Sequence, residues 1–152
     1  MKESIDAEKA ISALCAATTS LFADMVFIDA VCVPDGAMDR SRAPYDVCVA
    51  IDILKPLSCR LELRMPKVLS EQIVDTLGSD EPGADDAVLE MVNILAGVFI
   101  SEYFGPGATI KLELPMYVYE PPADEGAPIA VVLGDAEGMR FETLIRSVRY
   151  RY

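Results

Sequence analysis

The chain has 152 residues, with 25 acidic against 13 basic side chains and a net charge of −12; the length suits one compact domain over 1–152, and the charge opposes binding to nucleic acid or anionic lipid. Histidine and tryptophan are absent, which removes Ser-His-Asp and Cys-His nucleophile activation and the commonest metal ligand. Any chemistry falls to carboxylates, amides, hydroxyls, lysines or thiols.

The opening "MKESIDAEK" is charged and mostly acidic, unlike the basic-then-apolar order of a signal peptide. Ser4 can cap a first helix, with Asp6 and Glu8 in its first turn. Ile11, Leu14, Cys15, Thr18, Leu21, Phe22 and Met25 recur at helical spacing, so this helix covers a core with one face. Its uncharged run, Ala10 to Ala23, has 14 residues, short of the roughly 18 needed to cross a bilayer. No membrane insertion is expected. "VFIDAVCV" reads as a strand and "PDGAMDRSRAP" as a turn-rich loop. "YDVCVAIDIL" and "CRLELRM" follow as strands joined by a turn in "KPLS"; in the second, Cys59, Leu61, Leu63 and Met65 alternate with Arg60, Glu62 and Arg64, which predicts one wet face.

"KVLSEQIVDTLG" is a short helix stopped by Gly78, and "SDEPGA" is a loop. A longer helix runs from "DDAVLEMVNILAGVF" to about Tyr103 and ends at "FGPGA". Three strand-like segments close the chain, "TIKLELPMYVYE", "APIAVVL" and "MRFETLIRSVRY", with "PPADEG" and "GDAEG" as hairpin loops. Arg140, Arg146, Arg149 and Arg151 in the last segment read as a solvated strand face. The order, helix, strands, two helices, strands, predicts an α/β (α+β) layer structure with helices packed on a largely antiparallel sheet. Cys15, Cys32, Cys48 and Cys59 are spaced by 17, 16 and 11 residues with no C-x-x-C pair. That pattern predicts buried, reduced thiols in a cytoplasmic protein.

The long helix carries an anomaly. Asp86, Glu90, Asn93 and Gly97 fall within about 60° of one another at 100° per residue, while Val88, Leu89, Met91, Val92, Leu95, Val98 and Phe99 fill nearly all the rest. Burying an unpartnered carboxylate or carboxamide costs several kcal/mol, so the stripe must face solvent or a partner. Asn93 is the sole asparagine of the chain, and Asn costs several tenths of a kcal/mol in a helix interior because its side chain competes for backbone hydrogen bonds. Gly97 adds about 1 kcal/mol; it leaves room for the close approach of another backbone, of a partner or of the same chain. Asp86 reads equally as a helix cap or as a member of the stripe.

Pro115 lies 22 positions beyond Asn93, which completes a D-x3-E-x2-N-x21-P frame over Asp86, Glu90, Asn93 and Pro115. This frame, with the N-I-L-A-G continuation from Asn93 to Gly97, resembles the signature of the CheC/CheX family of chemotaxis phosphatases. The first helix, "SIDAEKAISALC", contains no Asn, so the chain has one such motif rather than two, the arrangement of the CheX-like branch.

The resemblance implies a phosphatase that hydrolyses the aspartyl phosphate of a phosphorylated, CheY-like response-regulator receiver. Asn93 would orient the attacking water and Glu90 would pair with a receiver lysine, with Asp86 and Gly97 accessory and Pro115 structural. It also implies no cofactor of the chain's own, Mg2+ bound by the receiver, and a homodimer. The rival readings are a CheX-like module that binds a receiver without hydrolysis, and a component related to the flagellar switch proteins.

Overall fold

The computed structural model describes residues 4–34, 45–77, 86–119 and 128–148. In chain order the elements are α1 (Ala7–Val26), β1 (Val31–Pro34), β2 (Val47–Lys55), β3 (Cys59–Met65), α2 (Lys67–Leu77), α3 (Asp86–Phe104), β4 (Lys111–Leu112), β5 (Met116–Tyr117), β6 (Ala130–Ala136) and β7 (Met139–Arg146). The strands form one sheet in the order β1-β6-β7-β3-β2-β4, with β5 also on β2 and all pairings antiparallel. The predicted α/β class and element order are therefore correct.

Helix α1 begins two residues later than Ser4 suggests: Asp6 is the cap, and its carboxylate accepts from the Lys9 N–H at 3.2 Å. It also runs further. "VFIDAVCV" contributes a strand only from Val31 because Val26 is still helical, and Phe27 then adopts a left-handed conformation, φ 59°. The Ile28 N–H closes this end on the Phe22 carbonyl at 3.1 Å, leaving Ile28 buried and Phe27 81% exposed. This is the Schellman-type closure usually made by glycine. Helix α2 is capped from afar, by Asp46, whose carboxylate accepts from the Lys67 N–H at 2.6 Å.

Helices α1 and α3 pack on one face of the sheet, α1 over β6, β7 and β1, α3 over β2 and β3, and α2 packs against both. The two long helices run antiparallel: the Tyr103 hydroxyl near the end of α3 accepts from the Asp6 N–H at the start of α1, at 3.1 Å. By length and composition alone both helices would pass for membrane spans. Each instead carries a buried stripe against the sheet and its neighbour, including Leu14, Ala17, Leu21 and Phe22 of α1 and Val92, Leu95, Phe99 and Ile100 of α3.

Gly134 on β6 fixes how α1 sits. A Cβ there would come within 2.1 Å of the Phe141 ring on β7, its cross-strand partner. The glycine lets that ring fold across the strand and stack on Phe22, ring centroids 4.6 Å apart.

"TIKLELPMYVYE" is not one strand. It makes two short pairings with β2, separated around Pro115, because a proline has no N–H to give the ladder. The expectation of one wet sheet face also needs correction. Opposite the helices, Glu62 is 0% and Glu142 1% exposed, under Arg64 and Arg146: Arg146 Nε lies 2.6 Å from Glu62 Oε2, and Arg64 reaches Glu62 at 3.5 Å and Glu142 at 3.2 Å. Beside them, Val131, Leu133 and Leu144 form a small apolar cluster with Val33. Arg146 is thus an ion-pair partner rather than a solvated side chain, whereas Arg140 is exposed. Gly78, the loops at 35–44, 79–84 and 121–126, Arg149 and Arg151 lie outside the described residues.

Candidate functional site

Helix α3 is apolar on nearly every side, and one side of it is buried. Val88, Met91, Val92, Leu95, Ala96, Phe99 and Ile100 are buried, and at 100° per residue they occupy about half of the helical wheel. The other half carries Glu90, exposed, and Asn93 and Gly97, both half-buried. Asn93 stands at the margin of the buried arc. Ser101 and Phe104, also exposed, continue the same line toward the C-terminal end.

Among the described residues neither Glu90 nor Asn93 has a hydrogen-bond or ion-pair partner. Other polar residues of the core are engaged: buried Thr18 donates to the Leu14 carbonyl at 2.7 Å and lies 3.4 Å from the Thr143 hydroxyl, and buried Glu62 and Glu142 hold arginines. A carboxylate and a carboxamide less than one turn apart, unengaged on a helix held by its buried side, are free to bind groups from outside.

Gly97 resolves one alternative. A Cβ built there meets nothing within 4 Å, so among the described residues the glycine is not making room for another element of this chain. Asp86 is the first helical residue of α3; its side chain lies outside the described residues. Pro115 does not join the helix face, and sits half-buried between β4 and β5, on the strand edge beside β2. The four-residue sequence frame therefore separates into a helical line and a sheet-edge proline.

A groove of about 470 Å³ opens between α2, β2, β5 and the start of α3, lined by Asp46, Lys67, Ser70, Val88 and Tyr117 among others. Val88 lies about 160° around the helix from Glu90. The groove is thus separate from the polar line. Among the described residues no cluster of three or more Cys, Asp or Glu side chains is arranged to hold a metal ion.

Similarity to known proteins converges on one family. Residues 47–126, just over half of the chain, match the family described as chemotaxis phosphatase CheX. Comparison with curated protein sequences gives no match. Among solved structures, the fold is similar to CheX from Vibrio vulnificus, at TM-score 0.69 and 13% identity over 91% of this chain and 98% of that one. It is similar to the CheX–CheY complex with BeF3 and Mg2+ from Borrelia burgdorferi, at TM-score 0.66 and 18% identity, covering 94% and 98%. FliY of Thermotoga maritima shares it at TM-score 0.58 and 18% identity, covering 92% and 87%. At these identities the structures speak for the fold, and the family match carries the assignment: this chain belongs to the CheX family of chemotaxis phosphatases.

Proposed function

We propose that this protein hydrolyses the aspartyl phosphate of a CheY-like receiver, with Asn93 orienting the attacking water and Glu90 pairing with a receiver lysine. The observation that carries this reading is the unengaged Glu90 and Asn93 on the open side of a helix whose other side is buried. Phosphoryl transfer through a loose transition state leaves a protein little covalent work; the task is to hold a water in line with the leaving oxygen. A carboxamide suits it because it donates and accepts hydrogen bonds without adding charge beside the phosphate. The half-buried setting of Asn93 favours the task, since a group held by a rigid helix loses little freedom on docking.

The receiver contributes the phosphoryl group and binds Mg2+, so the chain needs no cofactor of its own. The Borrelia CheX, found with CheY, BeF3 and Mg2+, supports this division of labour. The remaining parts of the proposal are a single domain over 1–152, which rests on chain length, a cytoplasmic location, which rests on the scattered cysteines, and a homodimer, which rests on the family resemblance.

The test is to follow phosphate loss from phosphorylated candidate receivers. Asn93→Ala should lower the catalysed rate by on the order of 10²-fold or more, as expected for loss of a transition-state positioning group. Glu90→Ala should weaken apparent affinity as well as rate. Retention of most activity by Asn93→Ala would defeat the assignment. Receiver binding with no hydrolysis by the wild-type protein would favour the non-catalytic module.

A further inference from the structure

Helix α3 ends in an aromatic side chain that the core only partly uses. Among the described residues, Phe104 is the one large apolar side chain of this helix that stays exposed, at 38%. It lies about 20° around the axis from Asn93 and about 16 Å along it, so it stands on the same line. Between them are Gly97, around which the described residues leave open space, and exposed Ser101. The line thus runs from a carboxylate, through a carboxamide and two small residues, to an aromatic ring at its C-terminal end.

That ring is held in place. It meets Tyr103 edge-on, with ring centroids 4.8 Å apart and planes at 62°. Tyr103 is itself buried and fixed from three directions: its hydroxyl accepts from the Asp6 N–H at 3.1 Å, Lys9 Nζ lies 4.5 Å from its ring centre, and the Phe99 ring packs at 5.9 Å. Directly after Phe104, Gly105 turns left-handed at φ 90° and donates its N–H to the Ser101 carbonyl at 2.8 Å, which closes the helix. Helix stability does not call for phenylalanine here: a basic residue in the last turn would complement the helix dipole, and α3 has none there. An exposed aromatic ring with little freedom left to lose is suited to anchoring a protein interface.

We propose that Phe104 is the apolar anchor of the receiver-docking surface, seated on an apolar patch that the receiver carries roughly 16 Å from its phosphoryl group. The inference rests on docking of a CheY-like receiver over Glu90 and Asn93. A specific interface covers about 800 Å² on each partner, a disc of about 16 Å radius, so a footprint centred on Asn93 reaches Phe104. The roles then divide along the helix. Asn93 acts at the phosphoryl group, whereas Phe104 touches no reacting atom and contributes to binding alone. Receivers with the same phosphorylation site but no apolar patch at that distance are poor substrates, which makes Phe104 a selector among them.

The test follows dephosphorylation of a CheY-like receiver by the whole protein, alongside the dissociation constant of the same receiver activated with beryllofluoride and Mg2+. Phe104→Ala should raise KM and the dissociation constant by about 10-fold, the loss expected when the exposed part of an aromatic side chain no longer finds an apolar partner. Its kcat should change by less than about twofold, and Asn93→Ala should show the reverse, a lower kcat with binding kept. Phe104→Leu should recover most of the loss. Phe104→Gln, a good helix former without an apolar tip, should keep Tm near the wild-type value and bind as weakly as Phe104→Ala. Val68→Ala, on α2, removes an apolar side chain more exposed than Phe104, at 56%, and should leave both constants unchanged. Unchanged KM and dissociation constant in Phe104→Ala and Phe104→Gln would overturn the anchor and leave the Glu90–Asn93 reading standing. Binding of the activated receiver without hydrolysis by the wild-type protein would defeat that reading, while the dissociation constants still decide the anchor. Failure of the wild-type protein to bind any activated receiver would overturn both.

Discussion

At the scale of single residues, the side chains that stabilise this molecule and those assigned to its chemistry differ in whether they are engaged. Glu62 has no exposed surface, lies on the sheet face opposite the helices, and holds both Arg64 and Arg146. Arg60 stands directly opposite Arg146 in the β3–β7 register, and like charges so placed repel. The repulsion is offset on both sides. Asp52 holds Arg60 through two contacts, Nε to Oδ1 at 2.7 Å and Nη2 to Oδ2 at 3.2 Å, while Glu62 holds Arg146. Burial works against the Arg64 charge, but Glu62, Cys48 and Glu142 more than compensate and keep its pKa above the usual value. Glu62→Ala would leave two arginines short of a carboxylate in a poorly hydrated place, so it should cost about 3 kcal/mol or more in urea unfolding. A loss below about 1 kcal/mol would mean that these pairs contribute as little as exposed ones do. Glu90, exposed and unengaged, belongs to the opposite class, and Glu90→Ala should leave folding stability nearly unchanged.

Gly97 makes α3 weaker than it need be. Among the described residues the space around its Cα is open, so Gly97→Ala should raise stability by about 0.5–1 kcal/mol through helix propensity, a Tm increase of about 1–4 °C for a chain of this size. If a receiver backbone approaches the helix at Gly97, the same substitution should reduce phosphatase activity while the fold becomes more stable, and Gly97→Leu should reduce it further. A higher Tm with unchanged activity would remove Gly97 from the docking surface. The limits of elements were less legible than their existence. α1 overran the expected strand because its end is set by Phe27 in a conformation rare for a non-glycine residue, and "TIKLELPMYVYE" split because Pro115 interrupts its pairing with β2.

For the whole molecule, burial of thiols makes stability depend on alkaline pH. Burial, with the nearby Asp52 charge, pushes Cys59 from its ordinary value near 9 up to about 12, and burial pushes Cys32 to about 11. Between these limits the unfolded chain has lost protons that the native protein still holds. Stability from this source is therefore full below about pH 9 and falls as pH rises toward 11 and 12. Unfolding midpoints measured from pH 8 to 11 should decline, and Cys59→Ala should decline less steeply than the wild type. Equal slopes would show that the Cys59 thiol ionises in the folded protein as readily as in the unfolded chain.

Features that depend on neighbours along the chain were legible from residue spacing alone: the helical period of α1, α2 and α3, the alternation in β3, and the polar line of Glu90, Asn93 and Gly97 with its distance to Pro115. These signals survive because each element must turn an apolar face to the core, and that need is written at fixed spacing. Features that rest on residues distant in sequence emerged only with the folded chain. Asp46 caps α2 from 21 positions upstream, Phe141 reaches Phe22 across Gly134, and Glu62 lies buried beneath arginines of two strands. Strand order and register set these meetings, and neither leaves a mark in local spacing. The same holds for the open line on α3: the spacing required it to face solvent or a partner, and the packing of α1, α2 and the sheet around the helix left Glu90 and Asn93 unengaged.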